Sequence, residues 1–290
     1  MATPSQWLEG ARPRTLPAAL SPVIAGTALA AYDDGLVWWK ALLALVVALA
    51  LQVGVNYAND YSDGIRGTDD ERVGPLRLTA SRLATPSAVK RAAFLALGVA
   101  GVAGLVLAAT TTWWLVAVGA ACMLAAWFYT GGSRPYGYAG LGEVSVFVFF
   151  GLVAVIGTYY VQTEAWSWPA LFAGIGIGAL ACSLNLTNNL RDIPTDVAAG
   201  KRTLAVMLGD ERTRGLYALL IAAGAAAIVA IASATTWWDL VALGFLLVAV
   251  RAVRIVVSGA RGPALIPVLA TTGRAELAWA VLVAVPLLVA

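Results

Sequence analysis

The chain has 290 residues, of which 60% are hydrophobic and only 12% charged, and its mean hydropathy is +0.81. A soluble domain carries about 25% charged residues, so an ordinary water-soluble fold is excluded. The net charge is +3 with no basic run interleaved with aromatics, so no nucleic-acid partner is expected, and the absence of histidine excludes a histidine base, a histidine–metal site and a Ser–His–Asp triad.

Apolar runs near 20 residues recur along the whole length, which predicts an all-α polytopic membrane protein of one domain, residues 1–290, with transmembrane helices at 15–33, 41–59, 92–110, 113–130, 142–161, 169–190, 215–233, 237–255 and 273–290. The first follows a short segment holding Arg12, Pro13 and Arg14, in which no cleavable secretory leader is expected. The second runs into Gln52, Asn56, Asn59, Asp60 and Asp63, spaced 4, 3, 1 and 3 apart, so these residues share one helix face. A polar loop follows with Arg66, Arg72 and Arg77 around the acidic run Asp69-Asp70-Glu71. The fourth helix leads to Tyr129 and a Gly-Gly-Ser-Arg-Pro turn that carries Arg134 and is followed by Tyr136 and Tyr138. Glu143 opens the fifth, where an acid suits the helix dipole. The sixth ends in Asn185, Asn188, Asn189, Asp192 and Asp196, with Pro194 between the two acids expected to kink or stop it. Lys201 and Arg202 follow. Cys122 and Cys182 lie singly inside predicted helices, so neither a disulfide nor a zinc site is expected.

Charge predicts the orientation. With the N-terminus inside and the C-terminus outside, 18 of the 19 Lys and Arg residues fall on inner segments and only Lys40 does not. Trp38-Trp39, Trp113-Trp114, Trp166, Trp168 and Trp237-Trp238 then form an outer aromatic belt, and both Asn/Asp clusters face the cytoplasm.

Carboxylates and amides at membrane depth are costly and are retained for a job. Two oxygen-rich faces suit a hard cation such as Mg²⁺, which commonly arrives with a phosphate. The plainer reading of each cluster is a hydrogen-bonded helix end, and that of each Arg is topology signalling and contact with anionic membrane lipid. Arg66, Arg72, Arg77, Arg134, Lys201 and Arg202 lie on loops that could fold over a cavity, where the Arg fork matches phosphate oxygens. Tyrosine rings at a helix end are either interfacial anchors or faces that steady a carbocation.

The pair of clusters resembles the two Asp-rich motifs of the intramembrane aromatic prenyltransferases, the UbiA superfamily. The second is similar over Asn188-xxx-Asp192-xxx-Asp196 and Gly200-Lys201-Arg202-Thr203-Leu204-Ala205-Val206. The first, Asn59-Asp60-xx-Asp63, departs from the usual pattern: the next Asp slot is Gly67, with Asp69 two beyond. That departure resembles the branch acting on 1,4-dihydroxy-2-naphthoate, as do Ala11-Arg12-Pro13-Arg14-Thr15-Leu16-Pro17, Asn56-Tyr-Ala-Asn59 and Gly140-Leu141-Gly142-Glu143. The resemblance implies nine helices around a central cavity open to the cytoplasm, in the bacterial cytoplasmic membrane. It implies Mg²⁺ held by Asp60, Asp63, Asp192, Asp196 and Asn188, the four acids being the catalytic set. It further implies a polyprenyl diphosphate donor and 1,4-dihydroxy-2-naphthoate as acceptor, prenylated with loss of CO₂ to demethylmenaquinone. Asn56, Asn59, Arg66, Arg72, Arg134, Tyr129, Tyr136, Asn185, Asn188, Lys201 and Arg202 are the expected substrate contacts, with Arg14 on the acceptor side. Two alternatives stay open: a superfamily enzyme with another acceptor such as 4-hydroxybenzoate, and a cation-coupled secondary transporter, in which paired halves would carry intramembrane Asp and Asn.

Overall fold

The computed structural model of the chain describes residues 2–67 and 76–290, and among these there is no β-strand. The helices are α1 (Pro4–Gly10), α2 (Pro17–Tyr32), α3 (Trp38–Arg66), α4 (Pro86–Thr110), α5 (Leu115–Phe128), α6 (Gly142–Thr163), α7 (Trp168–Ala198), α8 (Leu204–Leu208), α9 (Asp210–Ala234), α10 (Trp237–Val257) and α11 (Gly262–Val289). Each of the nine predicted segments coincides with one of them. Among the described residues seven are long and apolar enough to cross a membrane, or eight when the segment Pro4–Thr15 and α2, which meet at a 51° bend, count as one span. The remaining helix, α5, has 14 residues. At 1.5 Å per residue it is about 21 Å long, short of a hydrocarbon layer of about 30 Å.

The two cluster-bearing helices are longer than the sequence reading allowed. α3 has 29 residues and α7 has 31, because the polar turns at their ends stay helical. Pro194 does not stop α7, which runs on to Ala198. A helix of about 30 residues spans roughly 45 Å, so the last turns of α3 and α7 pass beyond any hydrocarbon layer. At the opposite ends Trp38, Trp113, Trp114, Trp166, Trp168, Trp237 and Trp238 are all exposed, as expected of an aromatic belt. Lys40, the lone cation at that end, is buried and held by Glu164 at 3.6 Å and the Thr111 hydroxyl at 3.0 Å.

α7 is the central strut: 72% of its most apolar stretch is buried, against 28% for α6. It packs on α9 and α6, α11 packs on α2, and α3 pairs with α4. Small residues permit the close approaches, as membrane packing requires. Trp279 of α11 fits over Gly176 of α7 and donates its indole N–H to the Gly224 carbonyl of α9 at 2.8 Å. Between Phe147 and Val153 the backbone of α6 widens into a π-helical turn. There Gly151 lies so close to α7 that a Cβ would stand 2.5 Å from both the Gly174 carbonyl oxygen and the Gly178 Cα.

Those two contacts are with backbone, which cannot yield as a flexible side chain can. Gly151→Val is therefore expected to cost about 3 kcal/mol or more, read as loss of monodisperse protein or a clearly lower unfolding temperature in detergent. Gly157→Ala, where a Cβ meets nothing within 4 Å, should leave both unchanged.

Candidate active site

A cavity of about 200 Å³ lies between α2, α3, α5, α6 and α7. Its apolar walls include Leu51, Val55, Val146, Phe149, Phe150 and Leu184. Its polar lining includes Arg12, Gln52, Asn56, Asn59, Tyr129, Tyr136, Asn185 and Asn188. The amides come from the same faces of α3 and α7 that carry the acids one or two turns further on, so the two clusters do converge on one space. None of the four acids lines the cavity itself.

The four carboxylates are all buried and are held in different ways. Asp60, 1% exposed, accepts the backbone N–H groups of Leu78 at 2.7 Å and Thr79 at 2.9 Å. Both its oxygens are thereby committed to the segment after α3, which makes it an anchor for that segment. Asp63 is the meeting point of the two motifs. It accepts from Arg77 at 3.5 Å and from the Tyr138 hydroxyl, and the Lys201 ammonium lies 4.0 Å away. Asp192 is gripped by its neighbour Arg191, Nε to Oδ1 at 2.6 Å and Nη2 to Oδ2 at 2.7 Å. Asp196 accepts from the Thr203 hydroxyl at 3.4 Å, while its backbone carbonyl receives the Lys201 N–H at 2.8 Å. Lys201 thus ties the end of α7 to Asp63 of α3, with its ammonium 4.5 Å from the Tyr138 ring centroid.

Asn188 lines the cavity, and the other amides tie neighbouring elements together. Asn56 donates to the Ala11 carbonyl at 2.9 Å and to the Thr15 hydroxyl at 3.1 Å, and Gln52 donates to Thr15 at 2.7 Å. Together they pin the bent entry to α2. Asn59 accepts from Thr130 at 2.8 Å. Asn185 donates to Glu143 at 3.2 Å and accepts from Tyr129 at 3.4 Å, and Asn189 donates to Glu143 at 2.6 Å. Glu143 thus joins α6 to α7 as well as opening a helix. Tyr129 and Tyr136 meet edge to face at 5.6 Å, and the Tyr136 hydroxyl donates to the Ala125 carbonyl at 2.7 Å. Burial raises the Tyr136 hydroxyl above its ordinary range, so it stays a neutral donor at neutral pH.

Several expected cations stand elsewhere. Arg66 donates to the Thr130 and Gly132 carbonyls and so secures the turn after α5. Arg14, Arg134 and Arg202 are exposed and none lines the cavity. The cation that does line it is Arg12, whose backbone takes the left-handed conformation, φ 57°. That conformation is uncommon for a residue with a side chain, and no sequence pattern announces it. Arg77, Tyr138 and Glu143, noted in the sequence beside the motifs, stand at the site, and Arg191 is a further member that the sequence reading did not single out. Arg72 and Asp69 lie outside the described residues.

Among the described residues no three acid or thiol groups converge tightly enough to form a ready metal cluster. The donor set nevertheless fits a hard cation: carboxylates and a neutral amide from two helices, with ammonium and guanidinium groups now supplying the positive charge beside Asp63 and Asp192.

Residues 19–263 match the UbiA prenyltransferase family, and the chain belongs to that family. A 1,4-dihydroxy-2-naphthoate octaprenyltransferase of Mycobacterium tuberculosis is 58% identical over 284 residues, 98% of this chain and 97% of that protein. The Escherichia coli protein of the same name is 40% identical over 229 residues, 74% of this chain and 72% of the other. In three dimensions the chain superposes on a UbiA homologue from Archaeoglobus fulgidus bound to DMAPP and Mg²⁺, with TM-score 0.64, 15% identity and coverage of 97% and 99% of the two chains.

The division of labour between the acids is open to measurement. Asp60→Ala strands two buried amides and should cost about 1–3 kcal/mol of stability, seen as a lower unfolding temperature together with lost activity. Asp196→Asn keeps the size of the side chain and an oxygen to accept the Thr203 hydroxyl, and should lose activity with a much smaller change in unfolding temperature.

Proposed function

We propose that this chain transfers a polyprenyl group from a polyprenyl diphosphate to 1,4-dihydroxy-2-naphthoate, releasing diphosphate and CO₂ and forming demethylmenaquinol, the hydroquinone form of demethylmenaquinone. The observation that carries the reading is one cavity with apolar walls and a polar end formed by the amide faces of α3 and α7, continued on both helices by the acid motifs. The near-full-length identity to relatives of that name supports the acceptor. The protein works as an integral enzyme of nine spans in the cytoplasmic membrane, with the acid-bearing ends and the N-terminus inside and the C-terminus outside.

The apolar walls receive the polyprenyl chain. The donor's diphosphate faces Arg77, Arg191 and Lys201, whose charges oppose the negative charge that grows as the carbon–oxygen bond breaks. Asp63, Asp192 and Asp196, with Asn188, would hold Mg²⁺; bound there, it supplies neutralisation of the leaving diphosphate. The diphosphate departs with the bonding pair and leaves an allylic cation. Tyr129, Tyr136, Phe149 and Phe150 line the cavity and offer their faces to that cation, and the dry walls keep water from quenching it. The ring carbon that bears the carboxylate attacks, forming the new carbon–carbon bond. Loss of CO₂ returns its electron pair to the ring and restores aromaticity, so no strong base is needed. Arg12, the cation of the cavity lining, holds the acceptor's carboxylate in place of the exposed Arg14.

Three outcomes test this reading. Carboxyl-labelled dihydroxynaphthoate should yield labelled CO₂ and diphosphate one to one, with turnover abolished by EDTA and restored by Mg²⁺; a product that keeps its label would move the chain to another acceptor. Arg12→Gln should raise the KM for the naphthoate by about tenfold or more, a larger effect than that of Arg14→Gln; equal effects would return the role to Arg14. Cysteine at Thr195 should be labelled only from the cytoplasmic side and at Thr112 only from the outer side, and the reverse pattern would overturn the orientation.

A further inference from the structure

Glu143 is a buried acid that the handling of metal and diphosphate does not use. It lies in the first turn of α6, 5% exposed, and three residues on one face of α7 converge on it. The Cys182 thiol donates to its backbone carbonyl at 2.9 Å. Asn185 and Asn189 both donate their amide N–H groups to one carboxyl oxygen, Oε1, at 3.2 and 2.6 Å. The other oxygen, Oε2, is buried with no hydrogen-bond partner among the described residues. Gly142 lets this turn come up against the cavity wall: a Cβ there would stand 2.9 Å from the Tyr129 hydroxyl oxygen and 3.4 Å from Asn185 Nδ2.

The consequence is a fixed direction of hydrogen bonding along the wall. Oε1 accepts from both amides, so Asn185 turns its nitrogen to Glu143 and its carbonyl oxygen to Tyr129. The Tyr129 hydroxyl gives its one proton to that oxygen, at 3.4 Å. Tyr129 and Asn185 line the cavity, and Glu143 stands behind them. With its proton engaged, the Tyr129 oxygen can only accept from a ligand in the cavity. A glutamine at position 143 could turn about its last bond, present N–H where Glu143 presents oxygen, and reverse Asn185 and Tyr129 with it. A carboxylate presents oxygen either way round, and the idle Oε2 is the counterpart of that constancy.

We infer that Glu143 is a positioning residue which, through Asn185, holds the Tyr129 oxygen ready to accept a hydrogen bond from a ring hydroxyl of the naphthoate, and so selects a ring that carries that hydroxyl. The inference rests on the choice of naphthoate given above. In 1,4-dihydroxy-2-naphthoate the 1-hydroxyl lies beside the carboxylate and donates to it within the molecule. The 4-hydroxyl, across the ring, has no such internal partner and is the donor that Tyr129 receives. A wall with a buried acceptor rejects a ligand that lacks the matching donor, because the acceptor is then left unpaired.

The test sets 1,4-dihydroxy-2-naphthoate against 1-hydroxy-2-naphthoate as competing substrates of the purified full chain in nanodiscs, with farnesyl diphosphate and Mg²⁺, and reads the ratio of their kcat/KM values. The difference in intrinsic reactivity between the two rings is the same for every variant, so a change in the ratio reports the wall. Wild type should prefer the dihydroxy compound. Tyr129→Phe, which keeps the ring and loses the hydroxyl, should lower that preference by about tenfold or more. Glu143→Leu should lower it by a similar factor although residue 143 does not line the cavity. The two changes in one chain should lower it no further than either alone, because they act through one contact, whereas general damage to the wall would add. Glu143→Gln should fall between wild type and Glu143→Leu, and it serves in place of the Leu variant if that one is not monodisperse. Gly157→Ala should keep the wild-type ratio. No preference in wild type, full preference kept in Tyr129→Phe or in the monodisperse Glu143 variant, or additive losses in the double variant would overturn the inference and leave the naphthoate reading standing. A wild-type protein that prenylates neither compound would instead defeat the naphthoate reading itself.

Discussion

The structure turns on the cost of keeping four carboxylates buried at the ends of two long helices. In a site of low dielectric an uncompensated charge is intolerable, so every other feature of that end can be traced to how each acid is answered. Asp60 is answered by two backbone amides, and that fixes the segment that follows α3. Asp63 is answered by Arg77, Tyr138 and Lys201, and that brings the residues after α5 and after α7 to the same point. Asp192 is answered by its own neighbour. The loops around the site are thus arranged around the acids' need for counter-charge, while the cavity beside them is walled by apolar side chains and lined by neutral amides and one guanidinium.

This explains why residues of similar type do different work. Asn56 and Gln52 share the stripe of Asp60 and Asp63, yet they reach across to Ala11 and Thr15 and so shape the bent entry to α2. The bend in turn brings Arg12 into the cavity lining in a left-handed backbone conformation. A polar stripe read only as a ligand set misses this second service. The amides of α3 shape the cavity wall, and the acids lie beyond them along the same helix.

Much of the architecture was legible in the sequence because the bilayer imposes a one-dimensional constraint. Apolar length, Lys/Arg asymmetry and paired tryptophans are all linear signals, and each predicted segment proved to be a helix. The lengths of α3 and α7 were under-read because hydropathy falls where their polar turns begin, although the backbone there remains helical. Pro194 was expected to kink or stop the helix, and of these the stop does not occur, since α7 runs through it. At the site, the acids and amides were visible because helical spacing groups them on one face. Among the cations Arg77 and Lys201 were visible, as members of loops able to fold over the site, but Arg12 and Arg191 were not singled out. Arg66, Arg134, Arg202 and Arg14 are no different in type from Arg12, Arg77 and Arg191, and only the fold decides which of them turns inward.

The placement of the cations has a further consequence for how a membrane enzyme could discriminate between its substrates. A prenyl diphosphate and an aromatic acid both bring negative charge to a cavity of about 200 Å³. If all the positive charge lined one wall, either anion could occupy either place. Here Arg12 enters from the bend before α2, whereas Arg77, Arg191 and Lys201 are grouped with the acids at the ends of α3 and α7. Arg12 thus stands apart from the basic groups that answer the acids, so the positive charge is divided between two places and does not line one wall.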